Sequence, residues 1–243
     1  MHVSQFDDAR ALVEHSKQEL EKIRSAYAGS LKSQQISPVF LVEIKNLMEN
    51  LRSALDFSAV GLFQKYGNGK PNAKIYFPYA SLNQDATKFR AAGRIEACIP
   101  GITASRPDVV LALESVQHFA GAEWSWMPHF MELNNENKHQ RLTPQTRQES
   151  RQLKLSSDSG AAIILGDGAS IQIGGGAFIQ LGDALIPGGQ SISPTNPGQI
   201  IGGNQELTVW VSFHFSSNNM PVMPLLEQAT AGVEKIVQSL AVL

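Results

Sequence analysis

Cysteine is almost absent from this 243-residue chain. The single Cys98 excludes an internal disulfide and leaves no thiolate cluster for zinc. Long hydrophobic runs are missing too, so no segment approaches a membrane span and no membrane partner is expected. The opening residues, Met1-His2-Val3-Ser4-Gln5-Phe6-Asp7-Asp8, lack a basic region followed by an apolar one, so no secretory signal is expected. With the lone cysteine, this points to a reducing cytoplasm. Nor is there an excess of positive charge. A formal net charge of −2 argues against broad electrostatic wrapping of nucleic acid and leaves room only for a local basic patch.

What is present describes a globular protein: 42% hydrophobic and 17% charged residues, in a length that suits one large domain or two small ones. Charge is unevenly placed, with 17 of the 20 Lys and Arg and 16 of the 22 Asp and Glu in residues 1–150. The early texture is helical. Residues Asp7 to Lys32 predict a surface helix, and Ser37-Pro38 predicts the start of a second, with Ser as cap and Pro in the first turn. That helix carries Phe40, Ile44, Leu47, Leu51, Leu55 and Leu62 to a stop near Gly67-Asn68-Gly69-Lys70-Pro71. Ile75-Tyr76-Phe77-Pro78 reads as an extended link, Asp85–Cys98 as a weaker helix, and Pro107 opens another that runs towards Phe119. A further helix is expected from about Pro128 to Leu142.

Beyond about Leu153 the texture changes. Residues 161–165, 170–173 and 177–181 predict short strands between Gly-rich turns, and two Leu-Gly-Asp steps, at Leu165 and Leu181, suggest a hairpin repeat. The glycines at 166–176 lack the Gly-Lys-Ser/Thr of a phosphate loop and read as turns. Leu207–Phe215 is the strongest strand, with inward Val and Phe alternation, and Pro221 onward returns to helix. The expected fold is α+β: a mainly helical bundle over 1–153, a Gly-rich antiparallel β insertion over 154–220, and a C-terminal helix, 221–243, that packs back on the bundle.

Two helical segments break the apolar pattern. In the later one Met131, Asn135, Lys138, His139 and Leu142 share a face at helical spacing, so polar groups interrupt the inward stripe. In the earlier one Arg52 and Asp56 stand at i,i+4 between Met48 and Ala59. Buried polar groups need partners or a task. If the two helices pack antiparallel, the set provides an acid/base group (His139), anion stabilisers (Arg52, Lys138) and a carboxylate to orient the imidazole (Asp56).

The segment Asn50-Leu51-Arg52-Ser53-Ala54-Leu55-Asp56, followed about eighty residues later by Leu133-Asn134-Asn135-Glu136-Asn137-Lys138-His139, resembles a group of uncharacterised prokaryotic and phage proteins. These are similar to HEPN domains, helical bundles found in toxin and defence ribonucleases and as nucleotide-binding modules. The resemblance covers roughly residues 38–143 and extends to the final helix. It implies a metal-independent ribonuclease or nucleotide binder, with His139, Lys138 and Arg52 catalytic and Asp56, Asn135 and Arg141 binding or orienting. It implies RNA or a nucleotide as partner, and pairing as a homodimer. The chain departs from the motif at Asn137, where an aspartate is usual, and at Gln140, which displaces the arginine to Arg141. The ribonuclease signature, Arg then four to six residues then His, occurs only at Arg10…His15, near the chain start.

The alternative is a non-catalytic protein-interaction module. Arg52, Asp56, Asn135, Lys138 and His139 would then fix helix register, and the β insertion or a Trp124/Trp126 surface would meet a protein partner. No cofactor and no metal is expected, since His118, Glu123 and His129 lack ligand spacing on one helix face.

Overall fold

The computed structural model describes the backbone of residues 4–33, 38–68, 74–139, 142 and 144–243; the side chains of 30–33, 38, 138 and 139 are outside the description. The chain is α+β and divides into two compact units, residues 1–146 with 214–243, and residues 147–213.

The first unit is helical. Helices α1 (Gln5–Ser33) and α2 (Pro38–Tyr66) lie antiparallel, as their contacts show: Tyr27 meets Phe40, Asn50 donates to Glu19 at 3.0 Å, and Gly61 faces Phe6. A Cβ at Gly61 would stand 2.7 Å from the Phe6 ring, so any larger residue there must displace that ring. Between α2 and the next long helix lie the extended link 74–80 and four short helices, α3 (Ala86–Ala91), α4 (Arg94–Cys98), α5 (Ile102–Ser105) and α6 (Pro107–Ser115). The single helix expected over Asp85–Cys98 is therefore two, broken at Gly93, whose φ of 58° is left-handed. A 3₁₀ turn, Ala122–Trp124, leads into α7 (Trp126–His139). Helix α8 (Val222–Ala241) follows Pro221 and buries Leu225, Ala229, Val233, Ile236, Val237 and Leu240, the stripe its spacing predicts. It packs on α1, α2 and α7, as expected of a last helix that closes the bundle. Among the described residues no helix is long and apolar enough to cross a membrane.

The second unit is built from β1 (Gln145–Ser157), β2 (Ala162–Leu165), β3 (Ile171–Ile173), β4 (Phe178–Leu181), β5 (Ala184–Pro187), β6 (Gln190–Ile192) and β7 (Gly203–Phe215), of which β1 and β7 run on into the first unit. The order β2-β1-β7 makes one sheet; β1 pairs with β2, β3 with β6 and β4 with β5, each antiparallel. The polar alternation of β1 escapes hydropathy reading, so the strands begin at Gln145 rather than after Leu153. The repeat is different from the one expected. Strands β2, β3 and β4 are three copies of an eight-residue step, Ile163/Leu165, Ile171/Ile173 and Ile179/Leu181, and do not pair with one another. All six side chains pack on one core with Leu153, Leu155, Ala184, Ile186 and Ile192. Only the second Leu-Gly-Asp step turns a hairpin, β4 to β5. Its partner role is shared by the first: Asp167 accepts the Arg151 N–H at 2.9 Å and Asp183 accepts the Ser159 N–H at 3.1 Å, so each carboxylate latches a turn. The alternation expected in β7 holds only at its end, where Phe213 and Phe215 are buried; Leu207, Val209 and Trp210 are 47%, 44% and 49% exposed.

Candidate functional site

The site starts from α2. Arg52 and Asp56 sit one turn apart, and Arg52 Nε donates to Asp56 Oδ2 at 3.2 Å. Their side chains are 11% and 20% exposed, so the pair is largely withdrawn from water. Asp56 Oδ1 accepts the backbone N–H of Phe77 at 2.8 Å. The carboxylate therefore holds the extended link against α2, and an N–H that no helix or strand serves finds its acceptor. The other end of the link is held by Gln117, a fully buried side chain. Its oxygen accepts the Ala80 N–H at 2.8 Å, and its nitrogen donates to Pro78 O at 3.1 Å and Leu113 O at 2.9 Å.

Helix α7 completes the cluster. Arg52 Nη1 contacts the Met131 sulfur, and the guanidinium carbon lies 5.4 Å from the Tyr79 ring centre. Asn135 Nδ2 donates to the Tyr79 hydroxyl at 3.2 Å. Arg52 and Asn135, from segments eighty residues apart, thus both reach one tyrosine, Arg52 at its ring and Asn135 at its hydroxyl. Asn135 is exposed, however, and does not lie on the inward face the sequence suggests. That face is made by Phe130, Met131, Leu133, Asn134 and Asn137. The apolar residues Phe130 and Leu133 set the phase of the helix, and the asparagines either side of Asn135 go inside. Asn134 donates to Phe130 O at 3.0 Å, while its own oxygen is buried with no partner among the described residues. The side chains of Lys138 and His139, and Arg141 as a whole, lie outside the described residues.

Two recesses open beside this cluster. One, of about 170 Å³, is walled by Arg52, Tyr76, Phe77, Tyr79, Arg94 and Cys98. The other, of about 300 Å³, includes Tyr79, Asn83, Glu132 and Asn135 in its wall. Burial pushes the Cys98 thiol above its ordinary range, against the pull of Arg94 and Arg52. The residues missed by sequence reasoning are Tyr79, Arg94 and Gln117. Tyr76, Phe77 and Tyr79 form an aromatic run that marks the link, but nothing local says that it would cross Arg52.

The remaining candidates fall elsewhere. Arg10 pairs with Asp7 at 3.0 Å and His15 with Glu19 at 3.3 Å, on half-exposed helix surface. Trp124 and Trp126 are 4% and 1% exposed, so the tryptophan surface offered to a partner is instead core, because α8 packs over it. Lys235 of α8 lies over the Trp124 ring, and Trp126 meets Phe130 edge-on at 5.6 Å. Among the described residues no three His, Cys, Asp or Glu side chains are grouped to hold a metal ion. Against protein-family models, curated proteins and solved structures, the chain finds no match.

Proposed function

We propose that this protein is an HEPN-like bundle acting on RNA or nucleotides in the cytoplasm, as a metal-independent ribonuclease of toxin or defence type. What supports the reading is the meeting of Arg52 and Asn135, from the two motif segments, at Tyr79. In this mechanism His139 takes the proton of the ribose hydroxyl as its oxygen attacks phosphorus, or returns one to the leaving oxygen. Arg52 and Lys138 stabilise the charge that develops on the phosphate oxygens. Asp56 holds Arg52 in place, and Asn135 and Arg141 contact the RNA. Two chains pair as a dimer in this reading. The test is labelled RNA incubated with saturating protein, beside nucleotide titration by calorimetry, with His139→Ala as control. Cleavage that disappears in the variant supports the proposal; intact RNA together with no heat from any nucleotide removes it.

Exposed Leu207, Val209 and Trp210 favour a second reading, because β7 lies at a sheet edge and edge strands with apolar surface pair with other chains. In it the protein is a non-catalytic interaction module that meets a protein partner through the β insertion, and the Arg52 cluster is architectural. A partner held equally by the native chain and by Val209→Lys would refute this reading.

A further inference from the structure

The recess of about 170 Å³ between the link and α4 has an unusual wall. Two of its six residues, Arg52 and Arg94, carry guanidinium groups, and none carries a carboxylate. The neighbouring Asp56 is already committed, with one oxygen on Arg52 Nε and the other on the Phe77 N–H. Arg52 Nη2 and the whole Arg94 guanidinium have no hydrogen bond or ion pair among the described residues. Both cations act on the Cys98 thiol in this wall, and the Asp56 carboxylate offsets only Arg52. The volume is below the range of roughly 300–1,000 Å³ typical of sites for whole small-molecule ligands, so the recess admits one anionic group rather than a complete nucleotide. Guanidinium forks match phosphoryl oxygens in geometry. Tyr76, 48% exposed in the same wall, offers a ring face on which a base outside the recess can stack.

We propose that this recess binds the terminal phosphate of a nucleotide or of an RNA end, with Arg52 and Arg94 clamping the phosphoryl oxygens and Tyr76 stacking on the adjoining base. The assignment rests on the RNA-or-nucleotide reading and specifies the group recognised. An internal phosphodiester carries a nucleoside on both sides and does not fit a recess of this size. Arg52 is then a binding residue at the ligand's end, which in this version leaves the charge at a cleaved phosphodiester to Lys138, and Arg94 is exposed with no hydrogen bond or ion pair among the described residues.

Cys98 makes the proposal measurable. It is the chain's one cysteine and it lines the recess, so thiol alkylation of the full chain reports on this site alone. The rate of labelling by a maleimide is followed by mass spectrometry with inorganic phosphate, AMP, a 5′-phosphorylated oligoribonucleotide, or its 5′-hydroxyl twin. Labelling should slow by about tenfold with phosphate or a phosphorylated ligand at ten times its dissociation constant, and the hydroxyl twin should give no protection. Arg94→Gln should abolish protection with an unchanged melting temperature, and Tyr76→Ala should weaken AMP more than inorganic phosphate. Protection by AMP alone assigns the site to free nucleotides; protection by the phosphorylated oligonucleotide alone assigns it to RNA ends. Equal protection by the hydroxyl twin, undiminished protection in Arg94→Gln, or no protection by any probe overturns the proposal. RNA cleavage or nucleotide heat without Cys98 protection would sink the recess and leave the wider reading standing. Protection without cleavage would do the reverse for the ribonuclease.

Discussion

Replacing Asp56 probes the junction on which the candidate site depends. The carboxylate accepts two bonds, from Arg52 Nε at 3.2 Å and from the Phe77 N–H at 2.8 Å. In Asp56→Ala both donors lose their acceptor, and Arg52, only 11% exposed, keeps its charge with little water to receive it. A bond to a charged group contributes about 1.5–3 kcal/mol, and an orphaned donor costs about 1–3 kcal/mol. Asp56 is itself 20% exposed, so some water can enter; a loss of about 3 kcal/mol is expected rather than the full sum. For a unit of this size that lowers the melting temperature by roughly 6–12 °C. Asp56→Asn keeps an oxygen for the Phe77 N–H but offers Arg52 no charge, and should cost about 1–1.5 kcal/mol. Urea unfolding of the native chain and both variants gives the comparison. An alanine variant within about 0.5 kcal/mol of native, or an asparagine variant as damaged as the alanine one, would refute the idea that this carboxylate clasps the link.

Gln117→Leu keeps volume but strips three hydrogen bonds and leaves the buried Ala80 N–H without an acceptor, so chemical unfolding should show a loss of about 2–4 kcal/mol. Gly232→Ala should destabilise by about 1–2 kcal/mol despite the better helix propensity of alanine, because a Cβ there meets the Trp126 ring; a stabilised variant would show that α8 can shift. Burial and the neighbouring His129 hold the His118 imidazole below its ordinary value of 6.5. The unfolded chain then binds the extra proton first, so the contribution of His118 is fully present above pH 6.5 and is lost as pH falls below it; melting curves of His118→Gln should show a shallower decline.

Much of the helical scaffold is legible along the chain, because its signals are local. Pro38, Pro107 and Pro221 stand at helix starts, and the spacing of Leu225, Ala229, Val233 and Leu240 gives both the last helix and its buried face. The pairing of Arg52 with Asp56 is equally local, since one helical turn fixes it. The phase of α7 is harder to read. Asn134, Asn135 and Asn137 are chemically alike, and which of them goes inside is settled by Phe130 and Leu133 finding the core. Strand β1 is hidden for the opposite reason: Gln145 to Gln152 has no apolar periodicity, and its pairing with β7 makes it a strand.

By itself the sequence determined the class of the protein, its long helices, the place of the Gly-rich strands and the i,i+4 pair at the centre of the candidate site, all from interactions within a few residues. Only the tertiary structure decided what that pair touches. The link that carries Phe77 and Tyr79 reaches Arg52 and Asp56 through loop residues with no periodic signal, and Arg94 and Cys98 arrive from the short helix that starts after Gly93. Contacts of that kind depend on where chain segments far apart in sequence come to rest, and that is set by the burial of the whole core rather than by any motif.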